Sequence, residues 1–143
     1  MKRTYTLRLD GQKLRLRLTV AGQRALREKF GEEPLQVILS AATDGERMGA
    51  LLEEALNWRG NDNEITDGEA LYDLLVDEGW SGQARFGALA FDIAAQSGLV
   101  SEQQAEQLKR SVAQAVEQAF QLLEDGQEPL EQEETETRPF PMM

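Results

Sequence analysis

The alternation of apolar and polar residues at the N-terminus constrains the fold of this chain more than any other feature. From Thr4 to Leu18, two alternating runs flank the pair Asp10-Gly11. Such a pair predicts a tight β-hairpin, because glycine accepts the positive φ that the turn requires. An isolated two-stranded hairpin is only marginally stable in water, so its apolar face must lie against helices or its edge must pair with another chain. The predicted apolar face consists of Tyr5, Leu7, Leu9, Leu14, Leu16 and Leu18.

Helical periodicity dominates the rest of the chain, which predicts an α+β fold that is mainly α, with about six helices after the hairpin. The helices are predicted to begin near Thr19, Pro34, Asp44, Thr66 or Asp67, Ser81 and Ser101, with Gly31, Gly60, Gly79, Gly98 and Gly126 as stop signals. The predicted stripe of the second helix is Leu35, Ile38 and Leu39. The longest helix has a stripe of Ala105, Leu108, Val112, Val116, Ala119, Phe120 and Leu123.

A change in composition at Gly126 divides the chain into two parts. Residues 1–125 are predicted to form one globular domain, with the hairpin at 4–18 and a helical body at 20–125. Residues 126–143 are rich in Glu and Pro and contain few apolar side chains. Because such a segment buries too little surface to offset the entropy of ordering, we expect a disordered acidic tail.

The polar stretch from Asn57 to Leu75 has the composition of a calcium loop but not its spacing. Gly68 is the only glycine that can occupy the sixth position, and this choice puts Ile65 third and Leu74 twelfth, where oxygen ligands are required. Thr66 and Asp67 are instead good residues to cap a helix. We therefore expect no metal site here.

The absence of two residue types lowers the expectation of catalysis. The chain contains neither cysteine nor histidine, which removes thiol nucleophiles, zinc-thiolate sites and the commonest general base. The glycines do not have the spacing of a phosphate-binding or dinucleotide-binding loop. We expect a protein that is not an enzyme and that has no cofactor.

Charge is distributed unevenly along the chain. Residues 1–30 contain nine Lys or Arg and two acidic residues, a net charge of +7, whereas the whole chain carries −11, so the remainder carries −18. An acidic body repels polyanions, which makes nucleic acid an unlikely partner. No stretch has the length and apolarity of a signal peptide or a membrane span, and we expect a cytoplasmic protein.

The basic face of the predicted hairpin is the candidate binding surface. Arg8, Arg15 and Arg17 lie opposite the leucines in the alternation and are predicted to bind an acidic partner, either a helix or a second copy. The alternative is that cations on exposed strands only prevent aggregation.

Several motifs in residues 4–100 resemble the tail assembly chaperones of long-tailed phages and of related prophages and gene transfer agents. In that family, a short hairpin leads into a helix with a Leu…Lys-Phe-Gly ending, and a helix that ends near Trp precedes a loop and a further helix. The matching positions are Leu26, Lys29, Phe30, Gly31, Trp58 and 66–69.

The resemblance implies a non-catalytic chaperone of the bacterial host cytoplasm that binds and solubilises the tape-measure protein and helps to recruit tail-tube protein. We expect a homo-oligomer joined through the open hairpin edge. We also expect a helix of the tape-measure protein to bind an apolar groove bordered by the hairpin. The alternative is a small regulatory or adaptor protein of a prophage that contacts nucleic acid through the basic hairpin.

Overall fold

The hairpin forms with the predicted register. The computed structural model describes residues 3–9 and 11–127. Strands β1 (Tyr5–Leu9) and β2 (Gln12–Leu16) pair antiparallel, with Leu7 opposite Leu14 and Leu9 opposite Gln12, and Gly11 has a φ of 78°. Leu7, Leu14 and Leu16 are buried, whereas Arg8 and Arg15 are exposed. The alternation therefore predicted correctly which face is buried.

Six helices follow the hairpin in the described residues, as the sequence predicts. They are α1 (Val20–Phe30), α2 (Pro34–Ala41), α3 (Gly45–Leu56), α4 (Gly68–Asp77), α5 (Gln83–Ser97) and α6 (Glu102–Gln127). None of these helices is long and apolar enough to cross a membrane.

Local capping chemistry explains where four of the six helices begin. The side chains of Thr19, Asp44 and Asp67 accept hydrogen bonds from backbone N–H groups in the first turns of α1, α3 and α4. Ser101 and Gln104 form a reciprocal capping box at α6: the Gln104 N–H donates to Ser101 Oγ at 3.0 Å, and the Ser101 N–H donates to Gln104 Oε1 at 2.8 Å.

The predicted start of α5 is wrong by one residue. The cap is Gly82 and not Ser81, and no side chain caps the first turn. Gly82 has a φ of 90°, a conformation that glycine adopts without a steric penalty. The turn it forms lets Trp80 pack on Phe86, with ring centroids 5.7 Å apart.

The predicted stripe of α2 is also partly wrong. The buried residues are Pro34, Val37, Ile38 and Ala41, whereas Leu39 is 37% exposed. The helix packs against α1, α3 and α5, and these neighbours lie on the side of Val37 and Ile38. Sequence spacing alone does not distinguish the two adjacent stripes of so apolar a helix.

Helix α5 lies at the centre of the fold and contacts β1, α2, α3 and α6. The leucine face of the hairpin belongs to the main core, together with apolar side chains of α1 to α5. A second, smaller cluster joins Phe91 and Ala95 of α5 to Ala105 of α6. The leucine face of the hairpin therefore packs on helices, which is one of the two arrangements that the sequence allows.

The end of α6 lies next to the predicted tail. The helix includes Gly126 and Gln127, so it continues past the position at which the sequence predicts its end. The rest of the predicted tail, residues 128–143, lies outside the described residues.

A glycine contact fixes the close approach of α3 and α4. A Cβ on Gly68 would overlap the carbonyl oxygen of Gly49 and lie 2.5 Å from the backbone nitrogen of Glu53. Backbone atoms cannot move aside as a flexible side chain can, so only glycine fits at the first turn of α4. The Gly68 N–H also donates to Glu53 Oε1 at 3.3 Å.

We expect Gly68→Ala to destabilise the protein by about 2–3 kcal/mol, because α3 and α4 must separate to accommodate the methyl group. The matched control is Gly45→Ala, at the first position of α3, where the nearest atoms to a new Cβ are 3.8 Å away. Urea denaturation midpoints of the two variants provide the test. Equal midpoints would show that α3 and α4 do not pack this closely.

We expect Leu16→Asp to be far more harmful than Arg15→Asp. Leu16 is 0% exposed, so its replacement buries an unpaired carboxylate at a cost of several kcal/mol. Arg15 is exposed and loses only a surface ion pair, worth about 0–1 kcal/mol. Similar soluble yields and urea midpoints for the two variants would contradict the register of β2.

Candidate partner-binding surfaces

Cations line the solvent face of the hairpin. Arg8 lies opposite Lys13, and Arg15 lies opposite Thr6. Arg8, Lys13 and Arg15 are exposed. The guanidinium of Arg15 is 3.3 Å from a carboxylate oxygen of Asp62, so its charge is partly neutralised within the chain. Arg8 and Lys13 are the cations of this face that lie nearest to the turn.

Arg17, the third predicted binding residue, lies one position beyond β2 and is half-buried. Its guanidinium carbon is 5.8 Å from the centre of the Trp58 ring, which is within the range of a cation–π contact. The backbone N–H of Arg17 donates to the carbonyl of Ala55 at 2.9 Å. These contacts fasten the end of the hairpin to α3, so Arg17 is engaged within the fold.

The polar loop between α3 and α4 caps the outer edge of β2. Asn63 makes two hydrogen bonds to one residue of the strand: the Arg15 N–H donates to its Oδ1 at 2.7 Å, and its Nδ2 donates to the Arg15 carbonyl at 2.8 Å. Trp58 Nε1 donates to the same carbonyl at 2.9 Å. The loop therefore satisfies backbone groups that would otherwise attract another strand.

The same loop lacks the features of a metal site. Among the residues that the structure describes, no group of three or more carboxylates is placed to hold a metal ion. Asp67 is used as the cap of α4, and Asn63 is used on β2.

The outer edge of β1 is open at its centre. In antiparallel geometry, the backbone groups of Thr6 point away from its partner Arg15. Within residues 3–9 and 11–127, no side chain caps Thr6 in the way that Asn63 caps Arg15. Gln96 covers the beginning of this edge, because its Nε2 donates to the Arg3 carbonyl at 2.9 Å.

A polar cluster joins β1, α5 and the first half of α6. Lys109 Nζ is 2.7 Å from Asp92 and 2.8 Å from Glu106, and Arg3 is 2.7 Å from Glu102. Burial, and after it the nearby carboxylate of Asp92, raises the pKa of the Tyr5 phenol. Burial lowers the pKa of Lys109, but its hydrogen bonds to the two carboxylates outweigh this effect and raise it overall.

The contacts of this cluster are structural. Its ammonium and carboxylate groups satisfy one another, and they hold α6 against α5 and β1. A cavity of about 440 Å³ adjoins the cluster, and the charged side chains that line it are already used in these ion pairs.

Three of the six large exposed apolar side chains in the described residues lie on the second half of α6. Phe120 is 63% exposed and Leu123 is 60% exposed. At 100° per residue, both lie on one stripe with Val116 and Ala119. We call this set of four residues the α6 stripe. Leu122 is also exposed, but it points away from the stripe.

The length of α5 explains why the α6 stripe is uncovered. Val112 packs on the α5 cluster and lies 3.7 Å from the Cβ position of Gly87. One turn earlier α5 begins at Gln83, so α6 extends beyond the helix that covers its first half. An apolar groove of about 330 Å³ remains between this end of α5 and the α6 stripe.

This groove does not border the hairpin, so it is not the groove predicted beside the hairpin. Its lining comes from residues 82–83 and 115–123, and no hairpin residue contributes. Arg3 contacts Glu102 at the other end of α6, about 27 Å from Phe120 along the helix. The cations of the hairpin and the groove beside the α6 stripe are therefore separate surfaces.

Comparison of the chain with protein-family models, with curated proteins and with solved structures gave no match.

We expect the protein to lose the stability that the polar cluster contributes when the pH rises above about 10. The pKa of Tyr5 is raised from 10.0, so the unfolded chain releases this proton at a lower pH than the folded chain. The pKa of Lys109 is raised from 10.5, so its stabilising effect is complete below that pH and is lost as pH rises through the folded value. Both effects have the same sign.

The test compares the melting temperatures of the wild type and of Tyr5→Phe. The range from about pH 8 to about pH 11 spans the ordinary pKa values of phenols and amines. Tyr5→Phe should have a shallower decline above pH 10. An identical decline in both proteins would mean that Tyr5 does not contribute to the alkaline loss of stability.

Proposed function

We propose that this protein is a non-catalytic tail assembly chaperone of a long-tailed phage or prophage. It acts in the cytoplasm of the bacterial host, where it binds the tape-measure protein, keeps it soluble during assembly and helps to recruit tail-tube protein. The observation that supports the proposal most directly is the uncovered α6 stripe, which adds a binding surface to the resemblance in residues 4–100.

The chemistry of the stripe suits a helical partner. A tape-measure protein is a long helical chain whose apolar stripe would otherwise aggregate. An amphipathic helix binds a groove through residues spaced three and four apart. The groove beside Phe120 and Leu123 is apolar along its length. Burial of each of these two side chains by a partner helix contributes roughly 1–2 kcal/mol.

The charge of the chain suits a solubilising role. Residues 31–143 carry a net charge of −18, against +7 in residues 1–30. A complex in which a partner helix covers the α6 stripe carries this negative charge. Repulsion between such complexes keeps them from aggregating.

Coexpression with the tape-measure protein of the same phage or prophage tests the proposal. The wild type should keep the tape-measure protein soluble and copurify with it, whereas Phe120→Glu/Leu123→Glu should do neither. The matched control, Gln114→Glu/Gln118→Glu, adds the same charge on the opposite, exposed face of α6. If the tape-measure protein precipitates equally with and without the wild type, the chaperone function is wrong.

The basic hairpin remains a second part of the proposed interface. Arg8→Glu/Arg15→Glu should weaken the complex without unfolding the protein, because both side chains are exposed. Arg17 is left unchanged in this variant since it packs on Trp58.

Exposed cations at Arg8 and Lys13 also favour a second candidate function, in which a regulatory or adaptor protein of a prophage contacts nucleic acid. Binding to duplex DNA should then weaken steeply with salt. DNA binding that is lost in Arg8→Glu/Lys13→Glu, together with no effect on the tape-measure protein, would favour this function over the chaperone.

A further inference from the structure

The α6 stripe has the spacing of a helix-pairing seam. Val112, Val116, Ala119 and Leu123 are separated by four, three and four residues, which is the repeat by which two helices pack side by side. Helix α5 covers the first part of this seam at Val112. The second part has the same spacing and is uncovered, so it is suited to pack against another helix.

The charge around the stripe favours a copy of the same helix. Glu117 is the only ionisable residue between Ser111 and Leu123, and the polar positions of this stretch are mostly glutamines. A chain with a net charge of −11 repels its own copies. This repulsion is smallest where two nearly neutral surfaces meet, and glutamine side chains can hydrogen-bond to one another across such a contact.

The open edge of β1 is another surface available to a second copy, but its charge opposes pairing. Arg8 and Lys13 lie on the exposed face of the hairpin. A two-fold axis at this edge would place the cations of both copies on one face of a continuous sheet, and charged side chains at an edge are a common means of preventing strands from pairing.

We infer that the protein forms a two-fold symmetric homodimer in which the second half of α6 packs against the same segment of a second copy. The expected interface buries roughly 1,000 Å² in total, near the lower limit for a specific contact. The dimer should therefore be weak and dependent on concentration. Where the proposed function also holds, the tape-measure helix and the second copy compete for the α6 stripe.

The test measures the molar mass of the full chain by light scattering and sedimentation, at concentrations from about 1 μM to about 1 mM. The mass should rise from 16.0 kDa and level off at twice this value, because a two-fold contact closes on itself whereas a head-to-tail contact continues to grow.

Two matched variants locate the interface. Phe120→Glu/Leu123→Glu should weaken dimerisation at least tenfold, whereas Gln114→Glu/Gln118→Glu, which adds the same charge on the opposite face, should dimerise as the wild type does. Circular dichroism of both variants confirms that α6 is retained. A third variant, Thr6→Pro, removes an N–H from the open edge of β1 and should leave the dimer unchanged.

Three results would overturn the inference: a wild type that is monomeric at every concentration, equal dimerisation of the two α6 variants, or loss of the dimer in a folded Thr6→Pro variant. Mass measurements on the chain alone do not involve the tape-measure protein. Failure of the dimer and failure of the chaperone function are therefore separate outcomes.

Discussion

Burial of the leucine face of the hairpin is the constraint on which the rest of the structure depends. A sheet of two strands has one face to hide and two edges to protect, and it cannot do either alone. Helices α3 and α5 contact the strands, and Leu14 and Leu16 become fully buried. The helical body therefore forms the surface on which the N-terminal hairpin lies.

Protection of the edges gives the polar loop between α3 and α4 a structural purpose. Asn63 and Trp58 satisfy the backbone of Arg15 on the β2 side. On the β1 side, Gln96 bridges the two ends of the hairpin, because it accepts from the Leu18 N–H and donates to the Arg3 carbonyl. The charged face between these edges is partly neutralised within the chain, which limits the number of cations left for a partner.

Helix α6 shows how the same physical requirement leaves an apolar surface exposed. Its first half is packed on α5 and held by the salt bridge between Lys109 and Asp92. Its second half repeats the amphipathic pattern where α5 no longer extends. An apolar stripe that the fold does not cover is available to another helix, and both the proposed chaperone function and the inferred dimer use this property.

The sequence by itself determined the features that depend on neighbouring residues. The hairpin register follows from alternation and from Asp10-Gly11, and the caps at Thr19, Asp44 and Asp67 follow from short side chains that reach the next backbone N–H groups. These interactions span only a few residues, so their chemistry can be read along the chain. The α6 stripe was predicted for the same reason, although its exposure was not.

Only the tertiary structure decided which predicted apolar residues are covered and which polar residues are used. Leu39 is exposed and Val37 is buried because α2 contacts its neighbours on one side. Asn63 caps a strand 48 residues earlier in the chain, and the start of α5 at Gln83 leaves Phe120 uncovered. These outcomes depend on the positions of elements that are distant in sequence, and the pattern of a single segment does not contain that information.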